Sequence, residues 1–212
     1  MKMKTLILAS QKGGVGKTTL AGHLAVAAEA AGAGPVALID TDPQGSLAAW
    51  WNERQAESPE FAQADLQRLP QQLAELAAAG VRLAIIDTPP AVTTTIRQVL
   101  ACADLVLIPT RPSPHDLRAV GATVDLVEQA GKRLVFAING AAHRARLTTE
   151  AAIALSQHGA VAPAVLHQRT DFASSMIDGR TVQELDPQGR SAGEISALWQ
   201  YVSTHLRRSA TL

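Results

Sequence analysis

A glycine-rich loop near the N-terminus carries the residues of this chain that are best suited to bind phosphate. In order they are Gln11, Lys12, Gly13, Gly14, Val15, Gly16, Lys17, Thr18 and Thr19. Glycines let backbone N–H groups surround a phosphate, and a helix that starts at Lys17 adds its dipole. Lys17 would neutralise the β- and γ-phosphates of a nucleotide, and the Thr18 hydroxyl would bind Mg²⁺. A glycine-rich turn without a ligand is the alternative, but a strand before the loop and a helix after it favour a phosphate site.

Two features distinguish this loop from the standard phosphate-binding motif, G-x-x-x-x-G-K-[ST]. The motif has a glycine five residues before Gly16, where this chain has Gln11. Lys12 is a second lysine, which the motif does not require. From the residues alone, Lys12 is either a functional cation or a solvated lysine on a loop.

Carboxylates follow two apolar runs further along the chain. Asp40 and Asp42 come at the end of one run, and Asp87 ends the next. In a parallel sheet these strand ends lie on the edge that holds the glycine-rich loop, where carboxylates can serve bound Mg²⁺ and an attacking water. A lone aspartate at a strand end is often only a helix cap or a turn residue. Two such segments beside a phosphate loop favour a catalytic site.

Short apolar runs and the helical patterns between them must position these residues. None of the runs alternates apolar with polar residues, which is typical of strands buried on both faces of a parallel sheet; the runs are residues 5–9, 36–39, 83–86, 105–108 and 134–138. Helical stripes of apolar residues fall between them, at residues 20–31, 73–77 and 117–127. The alternation predicts a doubly wound, mostly parallel α/β sheet with helices on both faces. We expect residues 1–212 to form a single domain, with 52–66 and 140–190 as its least regular parts.

The composition argues against several classes of protein. The 19 basic side chains balance 19 acidic ones, so net charge gives no overall attraction to nucleic acid or membrane. The single cysteine, Cys102, supports neither an internal disulfide nor a multi-cysteine metal site. The first apolar run is too short for a signal peptide, and no segment approaches the ~18 apolar residues of a membrane helix. We therefore expect a soluble, cytoplasmic protein with no membrane partner.

Taken together, the motifs resemble those of one family. Residues 12–19 resemble the deviant Walker A motif of the ParA/MinD ATPases, and residues 40–44 resemble that family's first switch segment. Residues 85–90 are similar to its Walker B motif and second switch, and residues 108–114 to the stretch after the next strand in small ParA proteins. The motifs occur in the family's order, and beyond them the resemblance is looser.

The resemblance implies a P-loop ATPase that uses ATP and Mg²⁺ and forms a homodimer when ATP is bound. In this family two subunits close face to face, and the extra lysine, here Lys12, reaches the partner's phosphates. The family also lacks the first glycine, which accounts for Gln11. Lys12 supplied in trans would offset the repulsion between two nucleotides, so closure would be favoured only with ATP. We expect slow hydrolysis, because no arginine finger is evident near the loop except Arg111, whose place the sequence does not give.

The family's roles carry over to individual positions of this sequence. Asp42 would position or polarise the attacking water, and Asp40 would support the site from the first switch. Asp87 would hold the Mg²⁺ shell through water. Thr19 would contact the α-phosphate. Asn139, at the end of the fifth predicted strand, would read the adenine, or would instead form a turn before the next glycine.

Three branches of the family fit the sequence less well than the small ParA type. The iron–sulfur branches need several cluster-binding cysteines, which this chain lacks. MinD relatives use an amphipathic membrane helix; the last helical stripe here, residues 195–206, has such a pattern, but we expect it to pack against the sheet. Larger ParA proteins carry an N-terminal helix-turn-helix domain, whereas this chain starts at its first predicted strand.

The small ParA type implies plasmid or chromosome segregation, with an ATP dimer that binds nucleoid DNA nonspecifically and a ParB-type or analogous partner that stimulates hydrolysis. Scattered cations suffice for phosphate contacts; the candidates are Lys132, Arg133, Arg144, Arg146, Arg169 and Arg190. Each could equally belong to an ordinary solvated surface. Three alternatives stay open: a ParA-like ATPase that positions a protein assembly, a MinD-like membrane-associated switch, and a small-molecule kinase that uses the same loop.

Overall fold

Strands and helices alternate along almost the whole chain. The structure, a computed structural model, describes residues 2–90, 94–143 and 145–208. Its strands are β1 (Lys4–Leu8), β2 (Val36–Asp40), β3 (Glu60–Gln63), β4 (Leu83–Asp87), β5 (Leu105–Thr110), β6 (Leu134–Ile138) and β7 (Ala160–Val161). Its α-helices are α1 (Lys17–Ala30), α2 (Ser46–Asn52), α3 (Leu69–Ala78), α4 (Thr94–Ala101), α5 (Pro114–Gln129), α6 (Arg146–Ser156), α7 (Thr170–Ser175), α8 (Val182–Leu185) and α9 (Arg190–Arg207). A 3₁₀ turn, Met176–Asp178, joins α7 to the segment before α8.

All the strands of the described residues lie in one parallel sheet with the order β3-β2-β4-β1-β5-β6-β7. The strand order reverses at β1, because β1 lies between β4 on one side and β5 on the other. Strand ends therefore meet in register at one edge: Asp87 pairs with Leu8 on one side and with Asp40 on the other. This confirms the predicted doubly wound fold and places the glycine-rich loop beside the strand ends that carry Asp87 and Asp40.

Helices cover both faces of the sheet, and successive strand residues serve opposite faces. In β1, Leu6 and Leu8 belong to the core beneath α1 and α9, whereas Ile7 belongs to the core beneath α4 and α5. Because helices bury both faces of the sheet, each central strand needs an apolar residue at every position, which explains the continuous apolar runs. The predicted central strands are all confirmed.

The apolar face of α9 is used inside the protein. The five large apolar side chains of the predicted stripe are at most 6% exposed and pack in the core shared with α1; they are Ile195, Leu198, Trp199, Val202 and Leu206. The expectation that this stripe packs against the sheet is confirmed. Across the part of the chain that the structure describes, none of the helices has the length and apolar character needed to span a membrane.

Two strands lie in the segments that the sequence indicated to be irregular. β3 reads EFAQ and β7 is only two residues long, and both are partly exposed edge strands. An edge strand pairs on one side only and needs no continuous apolar run, so the pattern that identified the central strands is missing from both.

Candidate nucleotide-binding site

The glycine-rich loop runs from the end of β1 to the start of α1 and has the backbone geometry of a phosphate cradle. Gly14 and Gly16 have φ angles of +75° and +92°, in the region that favours glycine. The loop is tied down at its start, where the Gln11 N–H donates to the Thr123 hydroxyl at 3.1 Å and the Lys12 N–H donates to the Ser10 hydroxyl at 3.2 Å. The loop is thus held at its entry, and α1 fixes its exit.

Lys17 and Thr18 start α1 and point into the site. Lys17 is only 7% exposed, and burial lowers the pKa of its ammonium, although the charges of Asp87 and Asp42 oppose that shift. The Thr18 hydroxyl donates to Asp87 Oδ2 at 2.5 Å. Lys12, in contrast, is exposed. A buried cation beside an open loop is suited to bind phosphate, because phosphate oxygens would replace the water that Lys17 has lost.

Asp87 is a buried carboxylate whose surroundings suit a divalent cation. Burial raises its pKa to about 7, and the nearby charge of Asp40 adds to that shift, while the Thr18 hydroxyl, Lys17 and the Thr88 N–H oppose it. Its backbone carbonyl accepts hydrogen bonds from the N–H and the hydroxyl of Thr41, at 3.0 and 2.6 Å. The hydroxyl and carboxylate form an oxygen donor set of the kind that Mg²⁺ prefers, and a bound cation would stabilise the ionised form. Thr18 and Asp87 therefore fit the predicted metal role.

Asp40 and Asp42 are two residues apart and have different surroundings. Asp40 Oδ1 accepts the N–H of Asp42 at 3.0 Å, and Oδ2 accepts the N–H groups of Leu47 and Ala48 at 3.0 and 3.1 Å. Asp40 thus caps α2, whose own N-cap residue, Gly45, has no side chain to do so. Within the described residues, the Asp42 carboxylate accepts a hydrogen bond only from the exposed N–H of Gln44, at 3.0 Å, and Asp42 lines the cavity above the loop. The Asp40 carboxylate is thus occupied by backbone N–H groups, whereas Asp42 faces the cavity.

A cavity of about 690 Å³ opens above the loop. Predicted residues that line it are Gly13, Gly14, Gly16, Lys17, Thr18, Thr19 and Asp42. Further lining residues were not assigned a role from the sequence; among them are Trp50, Glu53, Pro90, Arg111 and Met176. Arg111 follows the end of β5, just as Asp87 ends β4. The sequence had singled it out as a possible arginine finger without a position, and its place in the cavity lining supplies that position. Trp50 and Met176 come from segments that only tertiary packing brings to the site.

Asn139 lies beside the phosphate loop. Its side-chain amide donates to the Val15 carbonyl at 2.7 Å, so it braces the loop from the end of β6. The predicted contact with adenine stays a prediction.

The five candidate DNA-binding cations that the structure describes are not brought together by the fold. Lys132 and Arg133 precede β6 and lie at the edge of the sheet opposite the loop, and the Arg133 guanidinium donates to the carbonyl oxygens of His205 and Asp104. The remaining cations are dispersed: Arg146 pairs with Glu150 at 2.7 Å, Arg169 pairs with Glu194 at 2.6 Å, Arg190 is exposed at the start of α9, and Arg144 lies outside the described residues.

Comparison with known proteins agrees with the geometry of the loop and the strand ends. The sequence profile of the CobQ/CobB/MinD/ParA nucleotide-binding domain matches residues 6–182. The chain belongs to this ParA/MinD family. It is therefore a nucleotide-binding ATPase, and the predicted family resemblance is confirmed.

Two family members have closely matching lengths. A protein of Halothiobacillus neapolitanus, "Maintenance of carboxysome distribution protein A", is 30% identical over 202 residues, which cover 91% of this chain and 93% of the relative. A protein of the same name from Gloeobacter kilaueensis is 35% identical over 211 residues, covering 93% of this chain and 91% of the relative. "Protein ParA" of Rhizobium radiobacter is 27% identical over 203 residues, covering 94% and 83%.

Solved structures of the ParA/MinD family show the same fold. The structure of apo McdA from Cyanothece matches with a TM-score of 0.77 at 19% identity and covers 96% of this chain and 99% of that one. MinD from Pyrococcus horikoshii, in complex with Mg-ADP, matches with a TM-score of 0.79 at 16% identity, covering 99% and 100%. At these identities the likeness shows that this chain shares the fold of both proteins.

Proposed function

We propose that this chain is an ATP-dependent switch that positions a protein assembly of the carboxysome type, and that its strands and helices form one ATPase domain. The observation that carries the proposal is the pair of relatives named for carboxysome distribution, at 30% and 35% identity over more than 90% of each chain. The fold alone would not distinguish cargoes, because one fold hosts many functions. The proposal replaces DNA segregation, our first expectation from the sequence, with the positioning alternative.

The site supplies the chemistry of such a switch. Lys17 and the loop N–H groups bind the phosphates of ATP, and the Thr18 hydroxyl and Asp87 carboxylate would hold Mg²⁺, directly or through water. When bound, Mg²⁺ would shield the charge that develops on the phosphates during hydrolysis. Asp42, which faces the cavity and carries one exposed hydrogen bond, orients the attacking water.

Lys12 would make the switch a dimer. Its side chain is exposed, and in the described part of the chain it has no ion-pair partner, so its charge is available to a second subunit. Two subunits that close face to face bring two triphosphates near each other, and Lys12 from each would offset the repulsion. The ATP-bound homodimer would be the state that holds cargo, and hydrolysis, stimulated by a ParB-like or analogous partner protein, would release it.

Nonspecific DNA remains a proposed surface on which the dimer moves. The dispersed cations of the described residues, such as exposed Arg146 and Arg190, would make only sequence-independent phosphate contacts, which dimerisation doubles. DNA segregation is the second candidate function, and the ParA protein of Rhizobium radiobacter, at 27% identity, is the observation that favours it.

Deletion of the gene in its native host distinguishes the two candidate functions. Loss of assembly positioning should cluster the large protein assemblies of the cell, as seen by electron tomography, while plasmid retention over generations stays normal. Complementation with wild-type protein should restore the spacing, and Lys17→Ala, which lacks nucleotide binding, should not. Plasmid or chromosome loss with normally spaced assemblies would refute the proposal in favour of DNA segregation.

A further inference from the structure

Arg111 occupies the side of the phosphate loop opposite the carboxylates. It directly follows β5, which pairs with β1 on one side, whereas β4 with Asp87 pairs with β1 on the other. Arg111 lines the same cavity as Gly13, Gly14 and Lys17. The loop therefore has carboxylates at the strand ends on one flank and an arginine at the strand end on the other.

The Arg111 side chain passes over Gly140, and its guanidinium has no ion-pair partner among the described residues. Gly140, with φ +65°, lies beneath it; a Cβ built there would be 3.5 to 3.9 Å from the Nε, Cγ and Cδ atoms of Arg111. Several of the other arginines bind carboxylates or backbone carbonyls, for example Arg54 with Glu184. In the described ranges of the chain Arg111 has no such carboxylate partner, and it is exposed to solvent in the cavity.

The charges around the cavity call for a further cation when a triphosphate binds. Asp42, Glu53 and the neighbouring Asp87 place negative charge near the site where the phosphates would bind. In the same subunit, the buried Lys17 would contact those phosphates. ATP carries one more negative charge than ADP, on the γ-phosphate. A guanidinium has several N–H donors in one plane and matches phosphate oxygens well.

We propose that Arg111 donates hydrogen bonds to the γ-phosphate of ATP bound in the same subunit and thereby makes the site prefer ATP over ADP. The inference rests on the ATP site described above and is independent of the cargo. Arg111 is thus a binding residue that discriminates between the substrate and the product of hydrolysis. A preference for ATP is what an ATP-dependent switch requires, because only a difference in affinity between two states can shift its equilibrium.

Affinities of Arg111→Ala for ATPγS and for ADP test the proposal, measured with Mg²⁺ by fluorescence titration of monomeric protein. Loss of a charge-assisted hydrogen bond should weaken ATPγS binding about tenfold or more, while ADP binding changes by less than about twofold. Arg111→Lys should recover part of the loss. Arg118→Ala, an exposed arginine on α5 outside the cavity lining, is the matched control and should bind both nucleotides as wild type does.

Two results would overturn the assignment of Arg111. Unchanged ATPγS affinity would show that the guanidinium does not reach the γ-phosphate, and equal losses for both nucleotides would show a contact elsewhere on the nucleotide. Since the side chain is exposed, the thermal stability of Arg111→Ala should change little, so an affinity change reports on the ligand contact. Lys17→Ala tests the ATP site separately from Arg111, because wild-type nucleotide binding by that variant would refute the ATP site itself.

Discussion

Two aspartates of the first switch segment should respond to alanine substitution in opposite ways. Asp40 accepts three backbone N–H groups, at 3.0 to 3.1 Å, and through them fixes both the switch segment and the start of α2. Among the described residues, the Asp42 carboxylate accepts one N–H, the exposed one of Gln44. Asp40→Ala should therefore lower stability with a secondary effect on hydrolysis, and Asp42→Ala should abolish hydrolysis with almost no effect on stability.

The magnitudes follow from these contacts. Loss of a side chain that caps a helix costs about 0.5–2 kcal/mol, and Asp40 also holds the Asp42 N–H, so Asp40→Ala should cost about 2–3 kcal/mol. For a chain of this length that corresponds to a fall in melting temperature of about 5–10 °C. Asp42→Ala removes one solvent-exposed bond and should cost less than about 0.5 kcal/mol. Loss of a group that orients the attacking water should lower kcat by at least about 100-fold.

Thermal unfolding by circular dichroism and phosphate release at saturating Mg-ATP measure the two effects. Asp40→Asn keeps one acceptor oxygen and should lie between wild type and Asp40→Ala in melting temperature. Equal destabilisation by Asp40→Ala and Asp42→Ala would refute the division between a capping and a water-orienting carboxylate. So would wild-type hydrolysis by Asp42→Ala, because no step would then depend on that carboxylate.

Three further predictions concern the loop and the helix behind it. Lys17→Ala should abolish ATP binding in equilibrium dialysis, and unchanged affinity would contradict its role at the phosphates. Lys12→Ala should keep monomeric ATP binding but lose the ATP dimer in light scattering. A dimer of undiminished stability would contradict the proposed contact of Lys12 with the phosphates of the second subunit. Burial lowers the pKa of His23 from 6.5 to about 4, so the folded state disfavours its protonation and stability is lost as pH falls from about 6.5 toward 4. At about pH 5 the free energy of unfolding is lower by about 2 kcal/mol. Between pH 7 and 5 the melting temperature of the wild type should therefore fall about 4–8 °C further than that of His23→Asn. Equal pH dependence of the two proteins would show that His23 is not the cause.

The central sheet and the chemistry at its edge could be predicted from the sequence because both depend on short, local patterns. A parallel strand buried on both faces reads as a continuous apolar run, and the residue that ends it falls at the ligand edge. Asp40 and Asp87 were found in this way, and their register confirms that they meet. The edge strands β3 and β7 lack the pattern, so the sequence could not indicate them.

The parts of the site that the sequence did not reveal depend on packing between distant segments. The Trp50 indole N–H donates to the Arg180 carbonyl at 3.2 Å, and its ring lies against Gly22 of α1, so a residue 130 positions away fixes its place at the cavity. The family resemblance implied different roles for Asp40 and Asp42, but the sequence could not give the contacts of Asp40, because these depend on where the chain folds back to present the N–H groups of Leu47 and Ala48. Residue type and spacing identify groups capable of chemistry, whereas their tasks depend on which hydrogen bonds are already satisfied.

The contacts that a side chain already makes also explain why three cations of this site would act at different stages of the ATPase cycle. Lys17 is buried at the helix start and would bind the phosphates of either nucleotide. Arg111 is exposed beside the loop with its guanidinium available, and we propose that it responds to the γ-phosphate. Lys12 is exposed on the loop itself and can satisfy its charge on the phosphates of a second subunit. Nucleotide binding, ATP selection and dimerisation would then depend on separate side chains, so substitution of each should remove one step and leave the earlier steps intact.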